Sequence, residues 1–237
     1  MDSSTTGAGN LYVVATPIGN LDDFTERAKK TLNQCQVVAC EDTRITGKLM
    51  SHFSLSSKLV SYREENERTK CAEIADLIEA GTDVALVSDA GYPTLSDPGF
   101  RLVRECQARS LKVISIPGPN AAITALTASG MPTHQFLYLG FFPKKSAAVE
   151  KILEKWKDFS GSLIFYDSRY KIDKNLQIIC EILGQDRFIC LARELTKLHE
   201  TILSGKITDV ISQFEAGSSK GEFTIIIGPK DYSFGLN

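Results

Sequence analysis

The sequence predicts an α/β protein of two α/β domains, the first a mostly parallel sheet covered by helices and the second a mixed sheet. Three observations predict it. Short β-branched runs alternate with amphipathic segments along all 237 residues. The early strands are continuously apolar, as a sheet buried on both faces requires. In the second half some strands follow one another without a long helix between them, which points to mixed or antiparallel pairing.

Residues 11–16, Leu-Tyr-Val-Val-Ala-Thr, read as a buried strand. Asp23 followed by Glu26 reads as a capping box opening a helix through Thr31. A strand at 36–40 leads to a short helix over 43–51, then a strand at 58–62. The next helix starts at about Asn66, places Cys71, Ile74, Ala75 and Ile78 on one face, and is closed by Gly81. Residues 83–87 form a strand, and after a long loop a helix over 98–108 precedes the strand 112–116. Pro117-Gly-Pro-Asn120 opens a small-residue helix to about Ser129, which Gly130-Met-Pro132 ends. Residues 136–141 are extended, and a helix carries Val149, Ile152, Leu153 and Trp156, the last as a core residue. A strand at 162–166 and a helix with Ile172, Leu176, Ile179 and Leu183 follow. Strands at 188–192 and 201–203, a helix with Ile207, Val210, Ile211 and Phe214, and a strand at 222–227 complete the chain. The expected organisation is a flexible tail over 1–10, an N-terminal domain over 11–118 and a C-terminal domain over 119–237.

The composition, 43% hydrophobic and 24% charged, excludes disorder, collagen and coiled coil. No apolar run approaches the roughly 20 residues of a membrane span, and the small polar N-terminus is no signal peptide. Six cysteines form no C-x-x-C pair and most sit in apolar runs, so they read as reduced core residues of a cytoplasmic protein. With three dispersed histidines, no metal site is expected. The formal charge of −2 argues against a chain that coats itself with nucleic acid. Any RNA contact then comes from local patches or from a second subunit.

In open α/β sheets ligands bind beyond the carboxyl ends of the strands. Four loops there have unusual composition: Thr16-Pro-Ile-Gly-Asn20, Glu41-Asp-Thr-Arg44, Ser88-Asp-Ala-Gly-Tyr-Pro93 continuing to Ser96-Asp-Pro-Gly99, and Pro117-Gly-Pro-Asn120. Gly and Pro together fix a loop while letting backbone approach a ligand closely, although they also make plain turns. No G-x-G-x-x-G follows the first strand and no G-x-x-x-x-G-K-[ST] occurs. Pro17, Pro93 and Pro119 remove amide donors that a phosphate cradle would use. A zwitterionic or cationic ligand suits such loops better than a polyphosphate.

Five motifs occur in order: Val14-Ala-Thr-Pro-Ile-Gly-Asn-Leu21, Ala39-Cys-Glu-Asp-Thr-Arg44, Val87-Ser-Asp-Ala-Gly91 with Ser96-Asp-Pro-Gly99, Pro117-Gly-Pro119, and Ala192-Arg-Glu-Leu-Thr-Lys197 with His199-Glu200. Over residues 11–228 the chain resembles the ribosomal RNA small subunit methyltransferase I family of the tetrapyrrole-methylase superfamily. The resemblance implies S-adenosylmethionine-dependent 2′-O-methylation of a cytidine in the decoding region of small-subunit (16S) rRNA, without a metal. It also implies a methyl donor in the cleft between two α/β domains, a homodimer, and rRNA or the assembled small subunit as partner. Carried over by motif, the donor pocket draws on Ile18, Gly19, Asp89, Gly91, Tyr92, Asn120, Ala121, Tyr166 and the backbone around Leu195.

A ribose 2′-hydroxyl is a poor nucleophile until it loses its proton, so a base or a nearby positive charge helps. Glu41, Asp42, Arg44, Lys197 and Glu200 are the candidates in the motif loops. Lys144 and Lys145, with Arg169, Lys171 and Lys174, are candidates for rRNA phosphates. The chain departs from the family pattern at Ser61-Tyr-Arg-Glu-Glu-Asn66, at Pro143-Lys-Lys-Ser146 and at Phe165-Tyr-Asp-Ser-Arg-Tyr170, all where RNA would be gripped.

Each candidate has a structural alternative. Glu41 and Arg44 could form a surface ion pair, Asp89 a turn or helix cap, His199 an exposed structural residue, and Lys144 and Lys145 a solvated loop. A small-molecule methylase of the same superfamily, which the near-neutral charge suits, and a non-catalytic RNA-binding protein remain open alternatives. The absent glycine fingerprint sets a nicotinamide dehydrogenase aside.

Overall fold

The computed structural model describes residues 7–235, which divide into two compact units between Asn120 and Ala121. Residues 1–6 of the expected tail lie outside the described residues. The remainder of that tail is anchored. The Gly9 N–H donates to the Ile78 carbonyl at 2.7 Å, and Asn10 opens the first strand with its backbone and side-chain amides both on Asp83 Oδ1 at 2.8 Å.

The first unit carries five parallel strands, β1 (Asn10–Val14), β2 (Val37–Cys40), β3 (Lys58–Ser61), β4 (Val84–Val87) and β5 (Lys112–Ile116), in the order β3-β2-β4-β1-β5. Every residue of β2 and β4 is buried, which explains their unbroken apolar sequence. From β1 through β2 to β3 the chain steps one way across the sheet; from β3 through β4 to β5 it steps back. Right-handed crossovers therefore place the helices of the first run and those of the second on opposite faces. Helices α1 (Glu26–Gln34) and α2 (Thr43–His52) cover the face of Val14, Val38 and Cys40. Helices α3 (Glu67–Glu79) and α4 (Phe100–Ala108) cover the face of Val13, Ala39 and Leu86.

One local expectation is corrected. The cap of α1 is Thr25, whose hydroxyl accepts the Ala28 N–H at 3.1 Å, not Asp23. Asp23 belongs to a 3₁₀ turn, Leu21–Asp23, capped by Asn20. That turn delivers Phe24 into the core against Phe53, and the helix can start only after it.

The second unit carries β6 (Phe136–Phe141), β7 (Ser162–Ser168), β8 (Phe188–Arg193), β9 (Thr201–Lys206) and β10 (Glu222–Ile227), ordered β6-β7-β10-β8-β9. β6 and β7 pair in parallel, and the other pairs are antiparallel. Helices α6 (Ser146–Trp156), α7 (Ile172–Leu183) and α8 (Ile207–Glu215) bury Val149, Leu153, Leu176, Ile179 and Val210 against one face. The small side chains Ala122 and Ala125 let α5 (Ala121–Ala128) lie on β7 and β10. Trp156 is half-buried at the edge of the core rather than inside it. Cys35, Cys40, Cys106 and Cys190 are buried and all six cysteines are free. Among the described residues no helix is long and apolar enough to cross a membrane.

Phe165 is fully buried and stacks on Phe142 with centroids 4.0 Å apart. Phe165→Ala is expected to remove about 3–5 kcal/mol of stability. Urea unfolding followed by Trp156, the single tryptophan and a resident of this unit, reads the loss. An unchanged midpoint would contradict this account of the core.

Candidate active site

Parallel pairing brings the carboxyl ends of β1, β2, β4 and β5 to one rim of the first unit, so the four unusual loops leave side by side. They are locked to one another. Thr16 and Gly91 exchange backbone hydrogen bonds at 2.9 and 3.1 Å, and the Thr16 hydroxyl donates to the Ser88 carbonyl at 3.1 Å. The Gly118 N–H donates to the Tyr92 hydroxyl at 3.1 Å, and the Asp42 N–H to Asp89 Oδ1 at 3.1 Å.

Glycine is required where the loops meet. Gly91 has φ +77°, and a Cβ on it would sit 3.3 Å from Ile18 Cγ2 and 3.8 Å from the Pro119 carbonyl. Ile18 is half-buried and Gly19 exposed, so the first loop presents backbone outward.

The loop after Tyr92 is strained. Thr94, Ser96 and Gly99 all have positive φ, an unfavourable geometry for the first two. A Cβ on Gly99 would come within 2.7 Å of Leu86 Cδ2. This path turns Asp97 inward, where burial, together with the Asp89 charge, pushes its carboxyl up to about 6 against a hydrogen bond with Ser88. Burial also raises Asp89, despite the hydrogen bond from the Asp42 amide. Glu41 is raised by burial, then by Asp89 and Asp97. Asp97 was absent from the candidates read from sequence; its only sequence signal is the Ser96-Asp-Pro-Gly99 run.

Asp42 behaves oppositely. It caps α2 by accepting the Arg44 N–H at 2.8 Å, and Arg44 Nε and Nη2 grip its carboxylate at 3.0 and 2.5 Å. The Arg44 hydrogen bonds hold it well below the usual carboxylate range. Arg44 thus pairs with Asp42 rather than Glu41, because the capping geometry carries the Asp42 carboxylate to the first turn of its own helix. Among the described residues no group hydrogen-bonds the Glu41 carboxylate. Asp89 binds across to the neighbouring loop rather than capping its own turn. The rim is therefore acidic, half-buried and built on close backbone approach. A sulfonium or ammonium group suits it, and a polyphosphate does not.

In the second unit, Ala121 begins α5 and the Tyr166 hydroxyl accepts the Ala122 N–H at 3.1 Å. Glu194 and Thr196 have φ of 51° and 67°, and the turn between them buries Leu195. Lys197 Nζ bridges Glu194 at 2.9 Å and Glu222 at 2.7 Å, while Glu200 Oε2 accepts the Thr196 N–H at 2.5 Å. Lys197 and Glu200 thus hold this loop in shape. His199 is exposed and its carbonyl accepts from Arg193. Lys144 and Lys145 follow β6, and Arg169 and Lys171 follow β7, so the parallel pair delivers all four to one edge of the sheet. Lys174 stands apart. It lines a groove of about 260 Å³ between α7 and α8 with Gln177, Phe214 and Glu215.

Residues 10–211 match the family of tetrapyrrole (corrin/porphyrin) methylases. A ribosomal RNA small subunit methyltransferase I of Halalkalibacterium halodurans is 44% identical over 92% of this chain and 75% of its own length. The protein of that name from Vibrio cholerae is 44% identical over 93% of this chain and 77% of its own. The chain belongs to the tetrapyrrole methylases, in the ribosomal RNA small subunit methyltransferase I family. The uroporphyrin-III-C-methyltransferase of Thermus thermophilus has the same fold, with a TM-score of 0.63 at 18% identity over 93% of this chain and 94% of that one. The two α/β units, one parallel and one mixed, are the architecture of the family.

The Asp97 carboxyl gives the rim a pH signature. Its value of about 6 in the fold lies above the ordinary 3.8, so the folded chain holds this proton to higher pH than the unfolded one. Stability therefore falls as pH rises from about 4 to about 6, and the loss persists above that window. Asp97→Asn is expected to be more stable than wild type by about 1–2 kcal/mol at pH 7.5, after allowing for solvent screening, with no difference below pH 4. Thermal melts across pH 3.5–8 check this; a difference independent of pH would contradict it.

Proposed function

We propose that the protein transfers a methyl group from S-adenosylmethionine to the 2′-oxygen of a cytidine ribose in the decoding region of small-subunit rRNA. The observation that carries this reading is the interlocked acidic rim of the first unit, in a chain of this family. S-adenosylmethionine supplies, when bound, a methyl group on a sulfonium that an oxygen nucleophile can take by in-line displacement.

The chain's own residues bind, orient and move a proton. The loops of Ile18 and Gly19, of Asp89, Gly91 and Tyr92, and of Asn120 would hold the donor. Their hydrogen bonds to one another are already in place, so little ordering is left for the binding step. Asp89 and its half-buried neighbours complement the donor's positive charge. Of the candidate bases, Asp42 is gripped by Arg44 and Glu200 by a backbone amide. Glu41 is the carboxylate left to accept the 2′-hydroxyl proton, and its raised value moves it toward working pH. Lys144, Lys145, Arg169 and Lys171 would meet rRNA phosphates at the edge of the second sheet. In a homodimer a second copy would supply a second such basic edge, which a chain of net charge −2 offers only locally. The six free cysteines suit the cytoplasm, where small subunits mature.

Ribose-methylation mapping of small-subunit rRNA, with and without the gene, tests the reading. Wild type is expected to restore one missing methyl group. Asp89→Ala should lower the methylation rate at least about 10²-fold and lose thermal stabilisation by S-adenosylmethionine. Full methylation in the absence of the protein would refute the rRNA substrate and favour a small-molecule acceptor.

A further inference from the structure

Ordinary alternation along β6 would put Tyr138 and Phe141 on opposite faces of the sheet. The register shows otherwise. Tyr138 pairs with Ile164 and Phe141 with Tyr166, so three steps on β6 match two on β7. The extra residue is accommodated at Gly140, whose φ is +71°. This bulge brings Phe141 onto the face of Tyr138 and Tyr166. The ring centroids lie 5.3 Å apart for Tyr138–Tyr166 and 5.5 Å for Phe141–Tyr166.

The adjacent phenylalanines have opposite fates. Phe142 is 6% exposed and stacked on Phe165, whereas Phe141 is 58% exposed. Core packing therefore does not account for an aromatic side chain at position 141. The Tyr166 hydroxyl is tied to the Ala122 amide, so the ring backing Phe141 is fixed in place. Cations surround this edge. Lys144 and Lys145 come three and four residues after Phe141, and the parallel neighbour delivers Arg169, Lys171 and the 78%-exposed Tyr170.

We propose that Phe141, turned outward by the Gly140 bulge and backed by Tyr138 and Tyr166, is a stacking platform for an unpaired base of the RNA, whose phosphates lie on the flanking lysines and arginine. This deepens the rRNA reading and rests on it. Aromatic faces beside cations are the chemistry of single-stranded nucleic acid. A duplex keeps its base faces stacked internally. A second copy of the same edge would set like charges against each other.

The test uses the full chain, purified small subunits, and a single-stranded fragment of the decoding region with 2-aminopurine at successive positions. Wild type is expected to bind the fragment and quench one position. Phe141→Ala should weaken RNA binding about 10-fold and abolish the quench, leaving the salt slope and the stabilisation by S-adenosylmethionine unchanged. Phe141→Trp should restore both affinity and quench. Lys144→Glu with Lys145→Glu should instead flatten the salt slope. Wild-type affinity and quench in Phe141→Ala would overturn the platform alone. So would lost donor stabilisation at unchanged RNA affinity, which places the ring at the donor, or a changed oligomeric state at unchanged RNA affinity, which makes the face a self-interface. A wild type with no RNA affinity would overturn the rRNA reading itself.

Discussion

The reciprocal hydrogen bonds between Thr16 and Gly91 join the two central strand exits of the first sheet, and the rest of the rim is hung on them. Thr16 is 1% exposed and adds a third bond through its hydroxyl to Ser88. With these exits fixed, Tyr92 reaches Gly118 on one side and Asp89 reaches the Asp42 amide on the other. Four loops that would be independent and mobile in a simple turn arrangement become one surface. The cost is conformational: Thr94 and Ser96 have positive φ, as do Gly91 and Gly99, for which it is not unfavourable. Strain of this kind persists where the surroundings over-determine it, and here the contacts around Gly91 and Gly99 do so.

The charge pattern follows the same division of labour. A near-neutral chain separates its charges by place. Half-buried carboxylates gather at the rim of the parallel sheet, and cations gather where β6 and β7 leave the mixed sheet. Burial raises Glu41, Asp89 and Asp97, and neighbouring carboxylate charges add to it: Asp89 and Asp97 at Glu41, Asp42 at Asp89, and Asp89 at Asp97. Asp42 escapes by recruiting Arg44 as it caps its helix. One acid thus serves the fold and leaves its neighbours available for chemistry.

Most of the fold was legible because the physics that set it is local. A short apolar run bounded by turn residues, such as Val84-Ala-Leu-Val87 after Gly81, fits a strand buried on both faces, and the i, i+3, i+4 spacing of Cys71, Ile74, Ala75 and Ile78 fits a helix face. The cap of α1 was misread because Asp23 and Thr25 both satisfy cap chemistry, and the burial of Phe24 decides between them. The site was legible where glycine and proline marked the loops, and less so where side chains choose partners. The pairing of Arg44 with Asp42 and of Glu200 with the Thr196 amide depends on the exact path of the local backbone, and the reach of Lys197 to Glu222 and the inward turn of Asp97 on packing against segments elsewhere in the chain. The β6 bulge was invisible for the same reason, since a register shift exists only relative to a partner strand.

Hydrogen exchange with and without S-adenosylmethionine tests the central claim most directly. If the interlocked rim holds the donor, peptides spanning residues 15–20, 88–93 and 117–120 slow together, while those over the groove between α7 and α8 exchange as before. Protection confined to other segments, or slowing of one rim loop without the rest, would contradict the claim that these loops act as a single surface.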